Sequence, residues 1–327
     1  MELIFAYQQW PYRETFRISR GDSVHSDLFV AWVRQDGVVG RGECGVLSQY
    51  GHTPDTLRLA FEAARDVIER EGTREAVSRR VRNSSVQNAL DCALWDWECK
   101  STGRSIWDLT GVARRAQVAV DLTISVNPLD KMCEDARRAA AAGYRLLKLK
   151  ADAEDIVARV AAIREAVPAV QFVLDANESW SLDILAASSK DLAGLGVVLI
   201  EQPLHHSDDS DLEGFSGPIP ICADESCCDL NDLPRLAGRY QAINIKLDKV
   251  GGLSPALELA RAARKQGFKV MLGCGGASSL GAAPAYVVAT LADFVDLDSP
   301  ALLLEDRDHA MSYRDGQLEI FDRALWG

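Results

Sequence analysis

The sequence predicts an α/β chain: a (β/α)8-type barrel over residues 115–300, an N-terminal α+β capping domain over 1–114, and a tail over 301–327 that returns to the capping domain. Two observations point to the barrel. Short Val/Ile/Leu-rich runs recur near 117–124, 145–150, 170–175, 197–201, 219–224, 242–247, 269–273 and 293–297. Most are roughly 25 residues apart, the length of a strand, a helix and two loops. Between the runs, apolar residues return every three or four positions over 130–142, 153–166, 182–193 and 255–266, which is the helical period. Runs apolar on both faces, such as VVLI before Glu201, suit parallel strands covered by helices. Eight such units close a barrel, whose chemistry sits at the carboxyl ends of the strands.

The first domain reads differently. LFVAWVRQDGVVGRGEC alternates apolar and polar residues around Asp36-Gly37, the pattern of a hairpin. Helices are expected over 56–70 and 84–100, punctuated by Pro54 and Gly103. The tail, ending in GQLEIFDRALWG, is too short for a domain and is expected to add a strand to the first.

Composition narrows the function classes. With 327 residues and 47% apolar content, the chain can bury a large core in two lobes. A net charge of −12 and no basic run argue against nucleic acid as a partner. MELIFAYQQW lacks a signal-peptide layout and no apolar run nears the roughly 18 residues of a membrane span, so a cytoplasmic location is expected. The oligomeric state stays open, and a homo-oligomer is compatible with these numbers. None of the eight cysteines forms a C-x-x-C pair, and the five histidines show no metal-binding spacing on a helix. The thiols are expected reduced and packed as small hydrophobes.

Charged residues close the apolar runs. Lys148 and Lys150 end LLKLK, Asp175 ends FVLD, Glu201 ends VVLIE, Asp224 follows PICA, Lys246 ends INIK, and Asp296 and Asp298 close FVDLD. Together with NALDCALWD in the first domain, LDANESW, LIEQP, PICADES, INIKLDKVGG, MLGC and FVDLDSP, they resemble the enolase superfamily. The resemblance is to its muconate-lactonizing subgroup, and most of all to the bacterial L-Ala-D/L-Glu (dipeptide) epimerases. It covers about residues 88–300, nearly the whole barrel, and the acidic pair Asp296/Asp298 is what singles out the dipeptide epimerases.

The resemblance implies a modified (β/α)8, or TIM, barrel that binds one Mg2+ per subunit and epimerises a small dipeptide from peptidoglycan metabolism. Asp175, Glu201 and Asp224 would hold the metal, because hard oxygen ligands suit Mg2+. A substrate carboxylate beside that metal becomes an ene-diolate when its α-proton leaves; the Lys-plus-Mg2+ arrangement is a known pattern of enolase-type sites. Lys150 and Lys246, facing each other, would take the proton from one side and return it on the other. Lysine is a weak base near its ordinary pKa of ~10.4, so the site is expected to lower it, with the Lys148 cation helping. Residues two apart on a strand share a face, so Asp296 and Asp298 form an anionic clamp for the dipeptide ammonium.

Each residue also has a plainer reading. Strand-end acids serve as helix caps, lysines decorate edge strands, and Thr123, a substrate contact by resemblance, is an ordinary β-branched strand residue. Arg20 is expected to pair with a glutamate side chain of the substrate, with Arg17 as competitor and solvent exposure as the plain alternative. Asn177, Glu225, Tyr50 and His52 stand near the site without an assigned role. Gly275 and Gly276, where glutamate-preferring members carry a bulkier residue, are expected to leave a roomier wall. Rival readings are a dipeptide epimerase of other side-chain specificity, an o-succinylbenzoate synthase or cycloisomerase of the same superfamily, and a Schiff-base lyase.

Overall fold

The computed structural model describes residues 1–18 and 21–327; Ser19 and Arg20 lie outside the described residues. Strands β1 (Glu2–Ile18), β2 (Gly21–Gln35) and β3 (Val38–Gly45) form an antiparallel sheet. Gln35 pairs with Val38 across a two-residue turn in which Asp36 and Gly37 both take positive φ, 52° and 76°, as the Asp-Gly signal predicts. Helices α1 (Pro54–Arg70), α2 (Arg74–Arg80) and α3 (Ser84–Thr102) follow. Thr53 caps α1 with Pro54 just inside it, Asn83 caps α3, and Gly103 ends α3 in the left-handed region. Thus α1 starts two residues before the expected Thr56.

Helix α3 lies directly on β3. A Cβ on Gly40 would stand 2.1 Å from Ala93 O, and one on Gly42 would stand 2.0 Å from Ala89 O, so only glycine admits the helix backbone there. The other side of β3 and α3 meets the barrel through polar contacts. Glu43, buried, accepts from Ser278 N–H (2.8 Å) and pairs with Arg307. Asn88 donates to Asp248 (2.7 Å), and Ser254 donates twice to Asp91.

These buried carboxyls give stability a pH signature. Burial pushes Asp248 up to about 7 and Asp91 up to about 6. Between the ordinary carboxylate range and those values the folded chain holds protons that the unfolded chain has lost, so stability falls as pH rises through this window. Asp175 and Asp224, whose pKa values move the other way, act only below about pH 4. Melting temperature is therefore expected to be lower at pH 8 than at pH 6, and Asp248→Asn to flatten the slope; equal slopes in both proteins would refute the assignment.

The run expected as one strand over 117–124 divides in two. Gln117–Ala119 (β4) leaves the barrel, and Val120 N–H bonds to Gly316 O before the chain turns into the barrel. The barrel strands are β5 (Leu122–Ile124), β6 (Leu146–Lys150), β7 (Gln171–Asp175), β8 (Val197–Glu201), β9 (Ile221–Ala223), β10 (Ala242–Ile245), β11 (Lys269–Gly273) and β12 (Phe294–Asp296). They pair in parallel in chain order, with helices between. Asp121 N–H to Val295 O (2.9 Å) and Thr123 N–H to Asp298 Oδ2 (2.6 Å) join first strand to last.

The tail strands β13 (Tyr313–Arg314) and β14 (Gln317–Glu319) form a small sheet with β4 and not with the first-domain sheet. The tail still meets the first domain at both its ends: Leu303 forms a β-bridge with Tyr12 and Leu304 N–H bonds to Pro11 O (2.8 Å), while Trp326 Nε1 donates to the carbonyls of Arg41 and Cys92, and Gly327 N–H to Asp96.

Residues alternate sides along each barrel strand. One set, including Leu174, Ile200, Ile243 and Val295, joins the large core under the helices. The other set, Val173, Leu199, Cys222, Ala242 and Met271, forms a separate apolar cluster. Two positions further along, that same face carries Asp175, Glu201, Asp224, Asn244 and Gly273. The period of two thus stacks a charged layer on an apolar one at the strand ends.

Candidate active site

The strand ends are level: Lys150 pairs in register with Asp175, Asp175 with Glu201, and Glu201 with Cys222. Three carboxylates, Asp175, Glu201 and Asp224, follow one another on this rim between Lys150 and Lys246. Lys148 Nζ, on a residue only 1% exposed, lies 2.7 Å from Glu201, 2.7 Å from Asp296 and 3.0 Å from Asp175. Lys150 donates to Asp175 Oδ2 (2.6 Å) and faces Asn177 Oδ1 at 3.3 Å; Lys246 donates to Asp224 Oδ2 (2.6 Å). Gly273 makes room for this rim, since a Cβ there would stand 2.7 Å from Asn244 Oδ1 and 3.0 Å from Lys246 Cε.

At two of the lysines the neighbouring carboxylates outweigh burial. Burial pushes Lys246 down, but the Asp224 and Glu201 carboxylates more than reverse it and leave it above the usual lysine range. Lys148 is likewise pushed down by burial and held well above that range by Asp175, Asp296, Glu201 and Asp121, so it serves as their counter-charge. Burial raises Asp224, yet Lys246 and Lys249 hold it well below the carboxylate range. Glu201 is raised to about 7 by burial and by the Asp175 charge.

A cavity of about 600 Å³ opens over this rim, lined by Lys148, Lys150, Lys246, Thr123, Asp296 and Asp298. Of the expected site residues, it gathers the three lysines, the acidic pair and Thr123, with Asp175, Glu201 and Asp224 behind the lysines. Thr123 uses its backbone N–H on Asp298. Asn177 and His52 also line the cavity; His52 is tied to Asn83 and Ser85. Arg17 is engaged by Asp22 and Asn127, and the Arg20 expectation lies outside the described residues.

Gly275 and Gly276, where a roomier wall is expected, both line the cavity, and first-domain side chains approach them. A Cβ on Gly276 would stand 2.3 Å from Ser26 Oγ and 2.9 Å from Tyr12 Oη, and one on Gly275 would stand 3.1 Å from Leu47 Cδ2. First-domain side chains thus take the room at Gly276 and only border it at Gly275.

Three buried residues escaped the sequence reading. Lys249 donates to Asp224 Oδ1 (2.6 Å) and to the Asn244 carbonyl (2.9 Å); it sits one helical turn after Lys246, a visible spacing. Asn244 donates to Glu201 Oε1 (2.6 Å) from two positions before Lys246. Asp121, two before Thr123, joins Asp296 and Asp298.

Comparison with known proteins decides the family. Residues 1–111 match the mandelate racemase / muconate lactonizing enzyme N-terminal domain, and residues 131–324 match the enolase C-terminal domain-like family. The chain belongs to the mandelate racemase/muconate lactonizing family of the enolase superfamily. Within this family, the L-Ala-D/L-Glu epimerase of Escherichia coli (strain K12) is 39% identical over 313 residues, 96% of this chain and 98% of that protein. The N-acetyl-D-glutamate racemase of Pseudoalteromonas sp. is 46% identical over 243 residues, 74% of this chain and 76% of that protein. A crystal structure of an enolase family member from Agrobacterium tumefaciens, with homology to dipeptide epimerases and with bound sodium and L-Ala-L-Glu, superposes with a TM-score of 0.96. It is 37% identical and covers 99% of both chains.

Proposed function

We propose that this chain is a Mg2+-dependent dipeptide epimerase that inverts the carboxyl-terminal residue of L-Ala-D/L-Glu, acting in the cytoplasm on dipeptides from peptidoglycan turnover. One observation carries the reading: Lys150 and Lys246, from β6 and from the end of β10, reach the same cavity as Asp296 and Asp298. No helix among the described residues is long and apolar enough to cross a membrane.

The donor set fits Mg2+. Asp175, Glu201 and Asp224 are buried carboxylates from three adjacent strands, with no thiolate or imidazole among them. Among the described residues, Glu201 Oε2 receives no hydrogen bond, although Lys148 Nζ lies 2.7 Å from it as an ion pair. The three stand around lysine ammoniums and not edge to edge: among the described residues, the trios with donor atoms within 4.8 Å are Asp121–Asp296–Asp298 and Glu178–His205–His206. When bound, a divalent cation supplies positive charge beside the substrate carboxylate and lowers the cost of removing the neighbouring proton.

The chain's own residues do the rest. Lys150 and Lys246 move the α-proton, one taking it and the other returning one to the opposite face. Asp296 and Asp298 accept the dipeptide ammonium. Lys148 balances the carboxylates beneath. The racemase relative favours a second reading, racemisation of an N-acyl glutamate, which needs no ammonium clamp.

Incubation in D2O with Mg2+ and a panel of L,L dipeptides and N-acyl amino acids separates the two by mass spectrometry. One-dalton gains in dipeptides with acidic second residues are expected. Gains confined to N-acyl acids would replace the dipeptide reading, and exchange undiminished by EDTA would remove the metal.

A further inference from the structure

Asp121 precedes β5 and shares a face with Thr123. It is 0% exposed, and among the described residues no N–H or hydroxyl donor reaches either of its carboxylate oxygens. Its nearest acidic neighbours are Asp296 and Asp298, each offering an oxygen within the same 4.8 Å group. Lys148 is the cation that faces the cluster, but its ammonium already meets Asp296, Glu201 and Asp175. Asp298 receives the Thr123 N–H. The other titratable groups facing the cluster, Tyr12, Tyr144, Cys274 and Tyr313, are all pushed up by burial and add no positive charge.

Three carboxylates this close, with one shared lysine, do not all ionise at neutral pH; a proton stays among them. Burial and the Asp296 and Asp298 charges hold Asp121 well above the carboxylate range, and burial with the Asp296 charge lifts Asp298 to about 7. We propose that Asp121 carries a proton shared with the two strand-end aspartates and yields it to solvent when a substrate ammonium docks on them, so that the site favours a free amine over an N-acyl end.

The inference rests on the reading that a dipeptide is the substrate. An incoming ammonium replaces the proton as the cluster's compensating charge, so the third carboxylate strengthens its binding. A neutral amide offers no such replacement, and the proton stays. Asp121 is thus a positioning residue that tunes the clamp from behind.

Titration calorimetry with Mg2+ at pH 7, in two buffers of different ionisation enthalpy, reads the proton directly. L-Ala-L-Glu is expected to release about one proton per molecule bound, and N-acetyl-L-Ala-L-Glu none. In Asp121→Asn the release disappears, and KM for the free dipeptide rises about tenfold with kcat nearly unchanged, one pKa unit of lost interaction. Wild-type KM for the free dipeptide falls as pH rises from 6 to 8, which tests the same idea without a variant. Undiminished release in Asp121→Asn, or a pH-independent wild-type KM, overturns the inference. Deuterium exchange into dipeptides without proton release removes this inference alone; no exchange into any dipeptide removes the reading beneath it.

Discussion

Lys246→Met is expected to lower epimerisation by about a hundred- to ten-thousand-fold, the usual worth of a positioned acid or base. One partial reaction should survive. Lys150 remains on β6 with its bonds to Asp175 and Asn177, so it still removes the α-proton from the epimer that presents it and returns a deuteron to the same face in D2O. Lys150→Met should show the mirror result, exchange restricted to the other epimer. Proton NMR of each pure epimer in D2O with Mg2+ checks both variants. If each variant loses exchange from both epimers equally, the two lysines do not serve separate faces and the two-base reading fails.

Asp224→Asn is expected to have the second-largest effect, on stability as well as activity. The Asp224 carboxylate receives Lys246 at 2.6 Å and Lys249 at 2.6 Å, and Lys249 Nζ also bonds to the Asp224 and Asn244 carbonyls. Removing one charge of a buried network leaves the others uncompensated, which costs about 3–5 kcal/mol. Thermal denaturation should show a drop of several degrees and the loss of any Mg2+-induced rise. Adding Lys249→Met should restore part of the melting temperature, because it removes a stranded ammonium, without restoring turnover. A full Mg2+ response in Asp224→Asn would exclude that residue as a ligand.

Much of this site was legible because parallel strands make legibility simple. A residue that ends an apolar run in a barrel points at the mouth, so Lys150, Asp175, Glu201, Lys246 and Asp296 could be placed by counting. The turn at Asp36-Gly37 was equally open to reading, since both positions need positive φ. What stayed hidden depended on contacts distant in sequence. Val120 bonds to Gly316, which breaks the 117–124 run, and no local pattern announces that partner. The space beside Gly276 looked open until Ser26 and Tyr12, some 250 residues earlier, were seen to occupy it. The charges of Lys148 and Lys246 depend on contacts of the same kind: burial alone would lower both, and the arrangement of Asp224, Glu201 and Asp296 around them reverses the sign.

The contact between β3 and α3, with no side chain between the two backbones at Gly40 and Gly42, bears on how such an enzyme can diversify. It welds the sheet to the helix, and α3 in turn is bonded to the barrel through Asn88 and Asp91. The cavity takes its upper wall from this first domain, with Tyr12, Ile18, Ser26, Leu47 and His52 among the residues that line it. Lys148 and Lys150 stand on β6 and Lys246 at the end of β10, outside that wall. Part of the cavity can therefore be reshaped from a domain that carries none of the strand-end lysines, so that the room left for a substrate side chain and the placing of those lysines rest on different stretches of chain.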